Sequence, residues 1–160
     1  MTSEPSGRLY PAVGVLWIAF TALSGTTLSA QESTLRPLSA HLQEPQSDPS
    51  GSLLYAATRC SALFALISAQ RENRGDDATA EMYSDWVIGF GATALRAAVD
   101  LGRSSQDAIQ QNGEAVDGMK RVLSERMDRN MAFSRSYYAD DPLLSGDLRT
   151  CRDLVDELRL

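Results

Sequence analysis

Two cysteines in a chain of 160 residues carry the clearest chemical signal in the sequence. Cys60 falls on an apolar stripe with Ala57 and Phe64, and Cys151 on another with Leu148, Leu154 and Val155. No Cys-x-x-Cys is present to tune a reactive thiolate, so the spacing favours a structural bond over redox catalysis. We expect one disulfide, Cys60–Cys151, with a pair of buried free thiols as the alternative.

Other chemistry-bearing residues do not assemble into a catalytic set. The single histidine, His41, lies in a Pro-containing stretch, so a Ser-His-Asp triad has no credible base. One histidine and two cysteines do not make a zinc ligand set, and Glu81 with Asp85 lacks further oxygen ligands at clear spacing. We therefore assign no catalytic residue, no metal ligand and no cofactor. His-Glu-x-x-His, Walker and Gly-x-Ser-x-Gly patterns are absent from the sequence. Arg74-Gly75-Asp76 is read as a helix junction, not an adhesion tripeptide. Tyr83, Trp86 and Phe90, with Phe133, Tyr137 and Tyr138, form a candidate ligand or partner surface, the alternative being an aromatic core. Gly89, Gly91, Ala92, Ala94, Ala97 and Ala98 smooth the same helix, which suits close approach of a neighbour.

The elements that must position these residues read as helices. Leu53, Leu54, Ala57, Cys60, Phe64 and Ile67 recur at helical spacing from Gly51 to near Glu72, where Asn73-Arg74-Gly75 breaks the run. Asp76 or Asp77 caps a second helix with Tyr83, Trp86, Val87, Phe90, Ala94, Ala98 and Leu101 on its apolar face, and Gly102 stops it. Ser104 or Ser105 caps a third, whose stripe runs Ala108, Ile109, Val116, Met119, Val122, Leu123, Met127, Met131 and Ser134 to near Tyr138. Gly113 and Gly118 predict a kink or break inside it. Asp140-Asp141-Pro142 begins a turn, and a short fourth helix carries Leu148, Cys151, Leu154, Val155 and Leu158. No convincing strand pattern is found. The expected fold is all-α, an antiparallel up-down bundle of about four helices over 51–160, with the disulfide joining first and last. In that hairpin Asp85 should face Arg121, and Asp77 should face Arg129.

Upstream, Arg8 precedes a twelve-residue apolar run, Ala12–Leu23, followed by small polar residues to Ala30. This order predicts a secretory signal peptide over 1–30, cut after Ala30. The alternative is retention of residues 9–30 as a membrane anchor, with the domain outside the cytoplasm. Residues 31–50 hold Pro37, Pro45 and Pro49 and are expected to be a flexible leader.

The chain is acidic, with a formal net charge of −6, which argues against binding nucleic acid through its phosphates. It is 43% hydrophobic and 22% charged, so neither wholesale disorder nor a polytopic membrane protein fits. The expectation is a periplasmic or secreted, non-enzymatic interaction or structural module with a protein partner. A small-molecule-binding bundle, or an enzyme with an unrecognised carboxylate site, is the alternative.

Overall fold

The computed structural model describes residues 35–45 and 47–160. The signal-peptide reading of residues 1–30 lies outside the described residues. The protein is an all-helical bundle: α1 spans Leu38–Gln43, α2 Pro49–Glu72, α3 Asp77–Asp100, α4 Ser105–Ser134 and α5 Pro142–Leu158. No strand occurs among the described residues.

Three of the five described helices start by a shared rule. A carboxylate or hydroxyl accepts the free N–H groups of the first turn, and proline at the first helical position gives up a donor that had no partner anyway. At α2 the Asp48 carboxylate accepts from Gly51 N, with Pro49 next in line. At α5 Asp141 accepts from Leu143 N and Leu144 N, ahead of Pro142. Ser104 accepts from Asp107 N at α4. The turns between α2, α3 and α4 use Gly75 and Gly102 at φ +73° and +84°, where a side chain would be strained.

α2 is the centre of the protein. Every residue from Ala56 to Phe64 is buried, which is all sides of the helix and not one stripe. It is the one helix among the described residues long and apolar enough to span a membrane, yet 67% of its apolar window is covered by the rest of the protein. α3 and α4 pack on it, as do α1 and α5, and the α2–α3 contact is the most extensive. Small residues are frequent among the buried positions of both helices: Ala56, Ala57 and Ala62 on α2, Ala94, Ala97 and Ala98 on α3.

Several expectations are corrected. α4 is continuous through Gly113 and Gly118. Each glycine costs about 1 kcal/mol of helix propensity, which burial of Ala108, Leu123 and Met127 offsets. α4 ends at Ser134, because Arg135 adopts the left-handed conformation, φ 58°. Of the described residues upstream of Gly51, Leu38–Gln43 form α1 with Leu38 fully buried, and Pro49 already belongs to α2. The charge match within the hairpin fails at Asp85, since no ion pair joins it to Arg121 among the described residues. α4 packs more against α2 than along α3, so facing ladders do not form.

Cys60 and Cys151 are bonded, with Cα atoms 5.5 Å apart and a sequence separation of 91. The bond fastens α5 to the central helix. At the start of α5, the capping Asp141 carboxylate also takes Arg126 of α4, in a two-pronged contact, and Asn130 Nδ2 at 3.1 Å. Burial pushes this carboxyl up, but the Arg126 hydrogen bond, the Leu144 N–H and Asn130 together hold it below its ordinary value.

Two outcomes follow. The folded protein should show no titratable thiol, and Cys60→Ser with Cys151→Ser should lower the unfolding free energy by about 2–5 kcal/mol in urea denaturation. Two reactive thiols in the native protein would overturn the bond. Because the folded Asp141 carboxyl is depressed, its contribution is present above the unfolded carboxylate's pKa and is lost as pH falls through the folded value. Stability should thus drop below roughly pH 4, and Asp141→Asn should flatten that drop while costing about 1.5–3 kcal/mol at neutral pH. An unchanged acid slope in Asp141→Asn would show that other carboxylates set it.

Candidate functional site

The aromatic residues singled out in the sequence divide into two groups. Tyr83, Trp86 and Phe90 surround Phe64 of α2, with ring centroids 5.1–5.8 Å from it. Phe90 is fully buried and Tyr83 nearly so, which makes this an aromatic core with one polar outlet: Arg152 Nη2 donates to Tyr83 Oη at 2.6 Å. Tyr137 and Tyr138 stack near each other beyond the end of α4. Tyr138 Oη donates to Gln70 Oε1 at 3.1 Å, and the Arg74 guanidinium lies over the Tyr137 ring. Burial pushes the Tyr138 phenol up, against the pull of Arg71 and Arg74. Phe133 joins neither group and is 88% exposed.

A cleft of about 390 Å³ opens elsewhere, between the start of α2, the end of α3 and the first half of α4. Leu54, Leu101 and Met119 give it apolar walls, and Thr58, Arg103 and Asn112 give it polar groups. Thr58 Oγ1 donates to Leu54 O at 2.8 Å and lies 3.3 Å from Asn112 Oδ1. Among the described residues no group of three His, Cys, Asp or Glu side chains is placed to hold a metal ion.

Among the described residues, the outward side of α3 carries a row of apolar residues that includes exposed Ile88 and Val99. Its inner face holds Tyr83, Phe90, Ala94 and Ala97. On the opposite side Ile88, Gly91, Ala92, Leu95 and Val99 recur at three- and four-residue spacing and line one outward stripe. Ile88 is 70% exposed and Val99 is exposed, Leu95 is half-buried, and a Cβ placed on Gly91 would meet nothing within 4 Å. Gly89, expected to admit a neighbouring helix, instead admits Leu160, whose side chain would lie 3.1 Å from a Cβ there. The signal for the stripe was in the sequence. α3 carries two apolar faces, and one helix can bury only one of them against its own core.

Sequence reasoning also passed over a buried ion pair. Arg59, next to Cys60, and Asp147, one turn before Cys151, are both fully buried. Arg59 Nε donates to Asp147 Oδ2 at 2.7 Å, and Nη2 touches the same oxygen out of line for a hydrogen bond. Nη1 donates to Arg36 O at 2.7 Å and to Tyr55 Oη at 2.9 Å, while Leu38 N donates to Asp147 Oδ1 at 2.9 Å. Burial pushes the Asp147 carboxyl above its ordinary value, opposed by the Arg59 guanidinium and the Leu38 N–H. The pattern of an arginine and an aspartate on apolar stripes, each within a turn of a bridging cysteine, marks it in the sequence.

No family model, curated protein or solved structure matches the chain.

The ion pair yields a sharp expectation. Asp147→Leu leaves a buried, uncompensated guanidinium and should cost about 3–5 kcal/mol. Adding Arg59→Met should recover most of that loss. Urea denaturation of the three variants checks it, and a mild Asp147→Leu phenotype would mean that Arg59 reaches water.

Proposed function

We propose that this protein is an exported interaction module that docks a protein partner on the outward face of α3. One observation carries the reading: the stripe of Ile88, Ala92, Leu95 and Val99 lies opposite the core and is left uncovered by the chain's own described helices. Contiguous exposed apolar surface of this kind marks association sites in soluble proteins. Export is supported by the basic, apolar and small-polar order of residues 1–30 and by the Cys60–Cys151 bond, which suits an oxidising compartment. The long helices read as an up-down bundle. Ser68 meets Ala80 while Ser61 meets Val87, and Thr58 meets Asn112 while Gln70 meets Met127.

A second reading rests on the cleft. Its volume falls within the usual range for small-molecule sites, and its apolar walls carry a few polar groups. Tyr83, Trp86 and Phe90 support it poorly, because they fill the core.

A photo-crosslinking residue at Ile88 or Val99, introduced into the chain in its own cells, should give a defined protein adduct, and one at Arg149 on the exposed side of α5 should not. Ile88→Lys should abolish association while changing stability by less than about 0.5 kcal/mol. Blocking the cleft with Thr58→Trp should leave the adduct intact. Equal labelling at Ile88 and Arg149 would overturn the docking face, and loss of the adduct on Thr58→Trp would favour the cleft.

A further inference from the structure

We infer that the outward face of α3 takes a second copy of this chain, the two α3 helices packing antiparallel about a twofold axis near Gly91. This rests on the reading of that face as the docking surface, and it names the partner. The stripe is symmetric in character about its middle. Ile88 stands on one side and Leu95 on the other, with Gly91 and Ala92 between them. In an antiparallel pair Ile88 of one copy meets Leu95 of the other, twice over, and the two small residues cross at the centre. The open space at Gly91 allows the backbones to come close there.

The flanking charges match the same symmetry. Asp85 and Arg96 are exposed and lie on one edge of the stripe, six positions before Gly91 and five after it. Neither makes an ion pair with another described residue. A twofold axis across the helices keeps that edge on one side in both copies, so Asp85 of each copy falls beside Arg96 of the other. Arg96 is the one basic side chain of α3, against Asp77, Glu81, Asp85 and Asp100. A facing helix that answers Asp85 must offer a base at that position, and a reversed α3 offers Arg96. Isologous contacts of this sort put the same patch on both partners and close after two copies. Val99 and Leu160, which lies on Gly89, extend the apolar surface at its edges.

The test uses the full chain in its own cells. Both native cysteines are in the disulfide, so an added thiol reports alone. Ala92→Cys should crosslink into a species of twice the mass on mild oxidation, carrying both tags when two tagged copies are co-expressed. Arg149→Cys, on α5, should not. Asp85→Arg or Arg96→Asp alone should cut the crosslinked yield by roughly fivefold, and the two together should restore it. Thermal melts of these variants should match the parent, because both sites are exposed. A single-mass Ala92→Cys protein whose Ile88 crosslinker captures a different protein would overturn the second copy and leave the docking face standing. No adduct from either position would overturn both. Equal yields in the two single charge variants and the double would overturn the antiparallel register.

Discussion

A guanidinium with no access to water must find its hydrogen bonds inside the protein, and Arg59 finds them on three segments at once. It takes Asp147 from α5, Tyr55 from its own helix and the Arg36 carbonyl from the chain leading into α1. Asp147 completes the set by accepting from Leu38 N, the first amide of α1. A buried pair of this kind gives little net stability, since desolvating both charges offsets much of their attraction. Its value is selective: any packing of α1 or α5 that left either charge alone would be heavily penalised. The pair therefore dictates where α1 and α5 meet the central helix. Cys60–Cys151 sits beside it, one residue along α2 and one turn along α5, and contributes the complementary effect by restricting the unfolded chain.

With that junction set, the rest of α5 is positioned by its contacts in both directions. Its cap reaches α4 through Arg126 and Asn130, Arg152 reaches Tyr83 of α3, and the chain after it returns to Gly89. α5 touches every long helix through one anchored strut. This explains how α2 can be buried on all sides, because α3 and α4 cover part of its circumference and α1 with α5 the remainder.

Much of this was legible in the residues, and the losses have identifiable causes. Helix punctuation was clear wherever it used residues with one dominant role: Gly75 and Gly102 at left-handed turns, Ser104 as a cap, Asp76 at the start of α3. It was obscured where proline was read as a breaker. Pro49 and Pro142 each follow a capping aspartate, and in that position proline starts a helix. Periodicity located the core of α3, but in α4 it placed Ile109 inside when it is 62% exposed, because the apolar pair Ala108-Ile109 does not say which member faces the core. The break at Gly113 failed for a related reason: propensity is a weak prior, and distant packing outweighs it. Arg59 and Asp147 stayed hidden because charge on an apolar stripe conflicts with the pattern being sought, and the conflict resolves only when both are seen together.

The outward stripe of α3 is what the internal logic of the fold leaves over. The inner face of α3 is largely alanine around the rings of Tyr83 and Phe90, and it is the face that the core buries. Nothing in the fold requires isoleucine at 88 or valine at 99. A side chain of that size gains about 1.5–3 kcal/mol when fully buried, and at these positions no described part of the chain provides that burial. Lysine or glutamate would serve an outward helix face equally well and would keep the surface soluble. A helix that is apolar on both sides thus has one face explained by folding, and on the proposed reading the other is explained by contact with another surface. The two charges bordering that second face are spaced so that a copy of the same helix, reversed, supplies the matching pair.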